Sequence, residues 1–298
     1  MRICKHIRTL LCLFLVSFLG SGTVAEVGVV TKQGTDIVVA GPYLMSIIED
    51  SEPVGMWARH AQTSSTRVVL NEAGAVNGDG RPAVDLGSGV PIVTWGKNNG
   101  TGFDIVESHF ENGAWTTPAI IAAAVTVSID PEPSIVVDEQ TGAVHIVYVV
   151  GDAAPQVMHR EAPADLSSWT PPVLVSELGA DALRPSAVRH QGTLIVAYEF
   201  HTSGVGYAPR QITVAISDGI GGFTHETIDT THCAEPNRPQ LHTAGNSMWI
   251  DWIDGAGDMA WSTWDDVTGW GSAQIELFSD VEDRDYHVRG RVERLATQ

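Results

Sequence analysis

The sequence has little of the residue types on which several functions depend. Only three of its 298 residues are cysteine, and two of them, Cys4 and Cys12, lie within the first 25 positions. Because Cys233 is alone after that point, an intrachain disulfide is excluded there. Basic residues are also scarce, 17 against 36 acidic ones, with a formal net charge of −19. We therefore expect no nucleic-acid partner, since such a chain cannot neutralise many phosphates.

Long apolar segments are missing outside the N-terminus. Residues 10–19 form an apolar run that follows three basic residues and precedes Thr23-Val24-Ala25. This order is typical of a signal peptide, and the run is too short to cross a bilayer. We predict that residues 1–25 are a cleavable signal peptide and that the product is secreted or periplasmic. No membrane insertion is expected after cleavage.

The sequence also lacks a long helical periodicity and the short motifs of common cofactor sites. We find no spacing typical of zinc, calcium, nucleotide-phosphate or dinucleotide binding. The nucleophile motif Gly-x-Ser-x-Gly is absent as well. These absences predict a fold without long helices, and they lead us to expect no metal and no cofactor.

A repeat of about 50 residues organises the rest of the chain. Pro82, Pro133, Pro185 and Pro239 are separated by 51, 52 and 54 residues. Each proline starts a short strand, which a turn joins to a second strand that ends in an aromatic residue. Third and fourth strands follow, and the turns between them lead to an aromatic residue, namely Trp115, Trp169, Phe223 and Trp270. Four strands in each repeat of this length indicate a β-propeller.

A divergent unit precedes these four, because residues 36–49 align with the segment that begins at Pro239. We therefore predict an all-β fold, a β-propeller of about five four-stranded blades over residues 26–298. The predicted blades cover about residues 30–80, 81–131, 132–183, 184–237 and 238–285. The closing strand, 285–296, either pairs with the first blade or begins a sixth blade.

The turns between third and fourth strands resemble those of the sialidase-type, or BNR-repeat, propeller superfamily. That family has the turn Ser-x-Asp-x-Gly-x-Thr-Trp, and degenerate versions occur at residues 108–115, 217–223 and 262–270. The resemblance implies a ligand site on the face where inner strands begin, with an arginine cluster that binds an acidic sugar. No motif in this sequence fixes the tyrosine–glutamate nucleophile pair or the aspartic acid that sialidases use.

Propeller geometry indicates which residues share that face. Strands alternate in direction, so the start of the first strand and the end of the second lie on the same side of a blade. The predicted ligand-binding residues occupy these positions: Arg81, Arg184, Arg238, Trp95, Tyr148, His201, Trp252 and Asp254. Glu199 lies at the end of a second strand and is the catalytic candidate.

Each group of these residues has two interpretations. Three converging arginines would bind a carboxylate or sulfate, because guanidinium is permanently charged and pairs with such groups through two hydrogen bonds. Alternatively, acidic neighbours such as Glu132 and Glu235 neutralise them. The aromatic residues either stack on a sugar or pack at the ends of blades.

Three functions remain open at this stage. The first is an exported sialidase-like propeller that binds glycans, including acidic ones, or another anionic small ligand at the channel mouth without hydrolysing it. The second is an exo-acting glycoside hydrolase, whether sialidase-like or based on carboxyl groups drawn from Asp130, Glu132, Glu199 and Glu235. The third is a cell-envelope scaffold for protein interactions. The fold alone does not choose among them.

Overall fold

A computed structural model describes residues 35–40, 43–51, 54–60, 68–69, 79–87, 90–202, 210–228, 236–254 and 258–276. These residues form strands joined by turns, and none belongs to a helix long and apolar enough to cross a membrane. The predicted signal peptide, Cys233, Glu235 and the predicted closing strand lie outside the described residues.

The strands form five antiparallel sheets, each built from consecutive strands and called here blades 1 to 5. Blade 1 contains β1 Thr35–Ala40, β2 Tyr43–Ser51, β3 Val54–His60 and β4 Val68–Val69. Blade 2 contains β5 Ala83–Gly87, β6 Val90–Asn98, β7 Phe103–Glu111, β8 Ala114–Trp115 and β9 Ala119–Thr126. Blade 3 contains β10 Ser134–Val137, β11 Val144–Val150, β12 Gln156–Ala162 and β13 Val173–Leu174.

The last two blades follow the same order. Blade 4 contains β14 Ala180–His190, β15 Thr193–Thr202, β16 Gln211–Ser217 and β17 Phe223–Thr227. Blade 5 contains β18 Asn237–Ala244, β19 Ser247–Ile253, β20 Met259–Asp265, β21 Gly269–Trp270 and β22 Gln274–Glu276. In every sheet the first four strands pair in chain order, as in a propeller blade. The predicted all-β propeller is confirmed.

The hydrophobic core lies between neighbouring blades. Ile146 and Tyr148 of β11 pack in the cluster shared with blade 2, while Val147 packs in the cluster shared with blade 4. Successive residues of a strand point to opposite faces, so a strand covered on both faces is apolar throughout. This explains why the second strands read as unbroken apolar runs in the sequence.

Side chains also connect the inner strands of adjacent blades. Ser134 Oγ accepts the Ala187 N–H at 3.1 Å, and Ser186 Oγ accepts the Leu241 N–H at 3.0 Å. Both serines directly follow an anchor proline, so the repeat places the same bond at two blade junctions. These bonds satisfy backbone donors on the inner edge of each sheet, where no further strand pairs.

We expect Ser186→Ala to lower the free energy of unfolding by about 1–3 kcal/mol, because the Leu241 N–H would remain buried without an acceptor. Urea denaturation followed by tryptophan fluorescence measures this loss. Ser272→Ala, at an exposed position, is the matched control and should change stability by less than about 0.5 kcal/mol. Equal stabilities of the two variants would contradict this view of the blade junction.

The turns between third and fourth strands are held by their own polar side chains. Ser108 Oγ donates to the Thr116 carbonyl at 2.7 Å, and Ser262 Oγ donates to the Gly271 carbonyl at 2.8 Å. Asp265 accepts backbone N–H groups of its own turn. These contacts give the degenerate turn motifs a structural role, which any propeller blade can use.

Candidate functional site

The residues before three anchor prolines have an unusual backbone conformation. Glu132, Arg184 and Arg238 have φ angles of 37°, 52° and 55°. Residues other than glycine rarely adopt positive φ, at a cost of roughly 1–3 kcal/mol each, so their surroundings must hold them there. At Arg184 and Arg238 the pairing with the second strand also shifts, which marks a β-bulge. Bulges redirect side chains, and here they occur next to prolines, which cannot donate to the sheet.

Glu132 connects the arginines of blades 2 and 4. Its Oε1 lies 2.9 Å from Arg81 Nη1, and its Oε2 lies 3.7 Å from Arg184 Nε. Arg81 and Glu132 are both buried. Arg81, Glu132 and Arg184 each precede an anchor proline, in blades 2, 3 and 4. The equivalent positions of three consecutive blades therefore meet, and the glutamate of blade 3 lies between the arginines of blades 2 and 4.

Glu199 connects blade 4 with blade 5. Its carboxylate is fully buried, and Arg184 Nη1 donates to both of its oxygens at 2.7 Å. The Arg238 N–H donates to Glu199 Oε1 at 2.6 Å, and Arg210 Nη1 lies 3.9 Å from Oε2. Burial acts to lower the pKa of Arg184, but the Glu199 and Glu132 carboxylates together outweigh it, and the pKa is raised.

The Asp130 side chain joins the same network by accepting hydrogen bonds from backbone N–H groups. Its Oδ2 accepts the Arg81 N–H at 3.1 Å, and its Oδ1 accepts the Glu132 N–H at 3.0 Å. Gly80 makes this approach possible, because a Cβ atom there would lie 2.2 Å from Asp130 Oδ1. Burial and the neighbouring Glu132 raise the pKa of Asp130, although its hydrogen bonds oppose the shift. Asp130 therefore keeps its proton to a higher pH than an ordinary aspartate.

We call these six residues the arginine–carboxylate cluster: Arg81, Asp130, Glu132, Arg184, Glu199 and Arg238. The structure brings the three predicted arginines and Glu199 together at the start of the inner strands. It also shows that protein carboxylates already pair with Arg81 and Arg184. Glu235, the other predicted acidic neighbour, lies outside the described residues.

His201 is the next-to-last residue of β15, and Asp254 directly follows the end of β19. His201 is half-buried, is paired in register with Asp181, and lies two residues beyond Glu199, on the same side of β15. Burial and the nearby Arg210 lower the pKa of His201. Asp254 is buried, and its Oδ1 accepts the Asp258 N–H at 2.9 Å, which closes the loop after β19.

The predicted aromatic residues are packed within the protein. Trp95, Tyr148 and Trp252 are at most 1% exposed. Tyr148 and Trp252 belong to the clusters between blades, and the Trp95 Nε1–H donates to Asp79 Oδ2 at 3.2 Å. A sugar can stack only on an exposed ring face. These three rings therefore have a packing role and are not part of the candidate site.

The sequence did not single out Arg210 or the bridging position of Glu132. Arg210 lies outside the repeated motif, and no periodicity marks it. The sequence identifies Glu132 as an acidic neighbour of the arginines, but its contact with two of them depends on the positive φ before Pro133. The alignment of the repeats could have indicated this role, because it places Glu132 at the position that arginine occupies in the other repeats.

Comparison with known proteins relates the fold to glycoside hydrolases. Neither a family model nor a curated protein sequence matches the chain. Among solved structures, the chain is similar to a GH43 protein of the Bacteroides ovatus xyloglucan locus, with TM-score 0.53, 14% identity, and coverage of 90% of this chain and 58% of that chain. It is also similar to an exo-β-1,3-galactanase from Phanerochaete chrysosporium, with TM-score 0.50, 16% identity, and coverage of 85% and 66%.

An α-L-arabinofuranosidase from Clostridium thermocellum has TM-score 0.50 and 11% identity, with coverage of 86% of this chain and 95% of the enzyme. The chain thus spans less than two thirds of the length of the first two structures. Family 43 enzymes are five-bladed propellers and belong to a different clan from sialidases. At these identities the likeness shows the fold, and it gives no specific support to the sialidase type.

Proposed function

We propose that this chain is an exo-acting glycoside hydrolase that removes neutral sugars at the arginine–carboxylate cluster. Glycosidases use two carboxyl groups, one to protonate the leaving oxygen and one to activate water or attack the sugar. The observation that carries the proposal is the pairing of Asp130, whose pKa is raised, with Glu132, whose carboxylate contacts two arginines. A carboxyl group that keeps its proton to a higher pH beside a second carboxyl group is typical of acid–base pairs.

The short chain segment between them limits how far apart the two carboxyl groups can lie. Asp130 Oδ1 lies 3.0 Å from the Glu132 nitrogen. A glutamate side chain extends about 5 Å from its own nitrogen, so the two carboxyl groups are within about 8 Å, below the upper limit of about 9.5 Å for such pairs. Asp130 would supply the proton, and Glu132 would act as base or nucleophile.

One oxygen of Glu132 accepts no hydrogen bond from the described residues. Among the described residues, Glu132 Oε2 is buried and forms no hydrogen bond, with Arg184 Nε 3.7 Å away. A buried carboxylate oxygen without a hydrogen bond is costly, so a water molecule or sugar hydroxyl at this position would be stabilised. Glu199 differs, because all its contacts orient arginines; we therefore assign it as a positioning residue.

A neutral substrate fits the charges better than an acidic one. Arg81 and Arg184 are paired with Glu132 and Glu199, so an anionic sugar would have to compete with protein carboxylates. The similar structures include a protein of a xyloglucan locus, an exo-β-1,3-galactanase bound to β-1,3-galactotriose and an α-L-arabinofuranosidase, and the sugars in these names are neutral. The predicted signal peptide would export the enzyme to where such polymers occur.

A substrate screen with the purified protein tests the proposal. The panel contains chromogenic α-L-arabinofuranoside, β-D-galactoside and β-D-xyloside beside a fluorogenic sialoside. We expect hydrolysis of at least one neutral glycoside and none of the sialoside. Hydrolysis of the sialoside alone would restore the sialidase interpretation, and glycan binding without any hydrolysis would favour the non-catalytic alternative.

The pH dependence of the rate should report Asp130. As the proton donor it must be protonated, so kcat/KM should fall as the pH rises through its pKa, which lies above that of an ordinary aspartate. The alkaline limb of the pH–rate profile should therefore disappear in Asp130→Asn, because asparagine has no carboxyl group that could lose a proton in this pH range. An unchanged alkaline limb in this variant would assign the proton donor elsewhere.

A further inference from the structure

Three potential ligand groups meet on blade 3, away from the arginine–carboxylate cluster. His145 Nδ1 lies 3.1 Å from His159 Nε2 and 3.8 Å from Glu161 Oε2. The ligand atoms of the three side chains all lie within 4.8 Å of one another. His145 is near the start of β11, whereas the proposed active face lies beyond the end of that strand. The group therefore has no part in the proposed hydrolysis.

Strand pairing brings these residues together. His145 and Glu161 are directly opposite in the pairing of β11 with β12, and His159 is opposite Val147. Residues two apart on a strand share a face, so all three side chains project from the same side of the sheet. The imidazole rings stack at 5.3 Å, and Phe223 of blade 4 contacts the His159 ring edge-on at 6.2 Å. Packing between blades thus holds the rings in place.

We propose that His145, His159 and Glu161 bind a zinc ion, with water as a fourth ligand. Zinc accepts histidine nitrogen and carboxylate oxygen at about 2.1 Å in tetrahedral geometry, which places ligand atoms roughly 3.4 Å apart. The two separations from His145, 3.1 and 3.8 Å, lie on either side of this value, and the separation between His159 and Glu161 is at most 4.8 Å. Two histidines, one carboxylate and a water form a common zinc ligand set.

The surroundings of the three side chains allow an ion to enter. Arg189 is the nearby cation, but its guanidinium is paired with Asp138. Glu161 is partly exposed, which leaves an entry path for the ion. No sequence motif indicates this site, because its ligands come from two different strands, β11 and β12.

Calorimetric titration of the chelator-treated protein with Zn²⁺ tests the proposal, with Co²⁺ absorbance as a second probe of coordination. We expect one equivalent to bind and to raise the thermal midpoint. His159→Gln and Glu161→Gln should weaken binding by more than about tenfold. His225→Gln, which removes a histidine from blade 4, should bind as the wild type does.

Glu161→Gln is the more robust variant, because its side chain is 45% exposed and should not be needed for folding. No saturable binding by the folded wild type, or equal binding by all the variants, would overturn the proposal. The 3.1 Å contact would then be a histidine–histidine hydrogen bond. Because the readout is metal binding, the result is independent of whether the protein hydrolyses glycans.

Discussion

Replacing Glu199 by alanine should lower the free energy of unfolding by about 3–5 kcal/mol, because it removes one partner of a buried ion pair. The Arg184 guanidinium would lose both hydrogen bonds to the carboxylate, and the Arg238 N–H would lose its acceptor. Both arginines also have positive φ angles, which these contacts help to hold. The loss should therefore exceed that expected for a surface glutamate.

Urea denaturation followed by circular dichroism and tryptophan fluorescence measures this effect. Glu226→Ala, at an exposed position of β17 in the same blade, is the matched control and should change stability by less than about 0.5 kcal/mol. Glu199→Gln retains the shape of the side chain but removes its charge, so it should be destabilised as well. A loss below about 1 kcal/mol for Glu199→Ala would contradict the role of Glu199 in joining blades 4 and 5.

Asp130→Asn and Glu132→Gln should each reduce kcat on the neutral substrate found in the screen by about 10²–10⁴-fold. Asparagine cannot supply the proton, and glutamine cannot act as base or nucleophile. KM should change much less, because neither substitution alters the size of the side chain. Initial rates measured at a temperature where each variant retains the wild-type circular dichroism spectrum separate loss of chemistry from loss of folding.

Glu139→Gln is the control for these variants, because Glu139 is exposed in the turn of blade 3 and should leave kcat unchanged. Glu132→Gln should also lower stability, since it weakens the contacts with Arg81 and Arg184. If Glu132→Gln were less stable but fully active, the glutamate would be structural and the proposed roles would be wrong. Full activity of Asp130→Asn would have the same consequence for the proton donor.

The propeller was predictable because its evidence is periodic. Prolines at intervals near 52 residues and paired apolar strands recur in four of the five units, and each predicts the same local structure. The backbone at Arg184 and Arg238 was not predictable. A residue before proline is normally extended. The positive φ angles of Arg184 and Arg238 are explained by their contacts with Glu199, which is far from Arg238 in the sequence.

The burial of the aromatic residues was equally hard to predict. Trp95, Tyr148 and Trp252 lie within strands that continue for one to three residues beyond them, and their rings are packed inside the protein. The turn motifs show a related ambiguity. Ser108 and Ser262 stabilise turns through local hydrogen bonds, and such bonds indicate a propeller without identifying its chemistry.

The most direct test of the proposed function is chromatography of the products formed from neutral oligosaccharides, β-1,3-galactotriose and an arabino-oligosaccharide among them. Wild-type protein should release a single neutral monosaccharide from the start of the reaction, and Glu132→Gln should release none in the same time. A sialylated oligosaccharide should remain intact. Release of sialic acid, or intact substrates throughout with wild-type protein that is folded, would contradict the assignment of this propeller as an exo-acting hydrolase of neutral glycans.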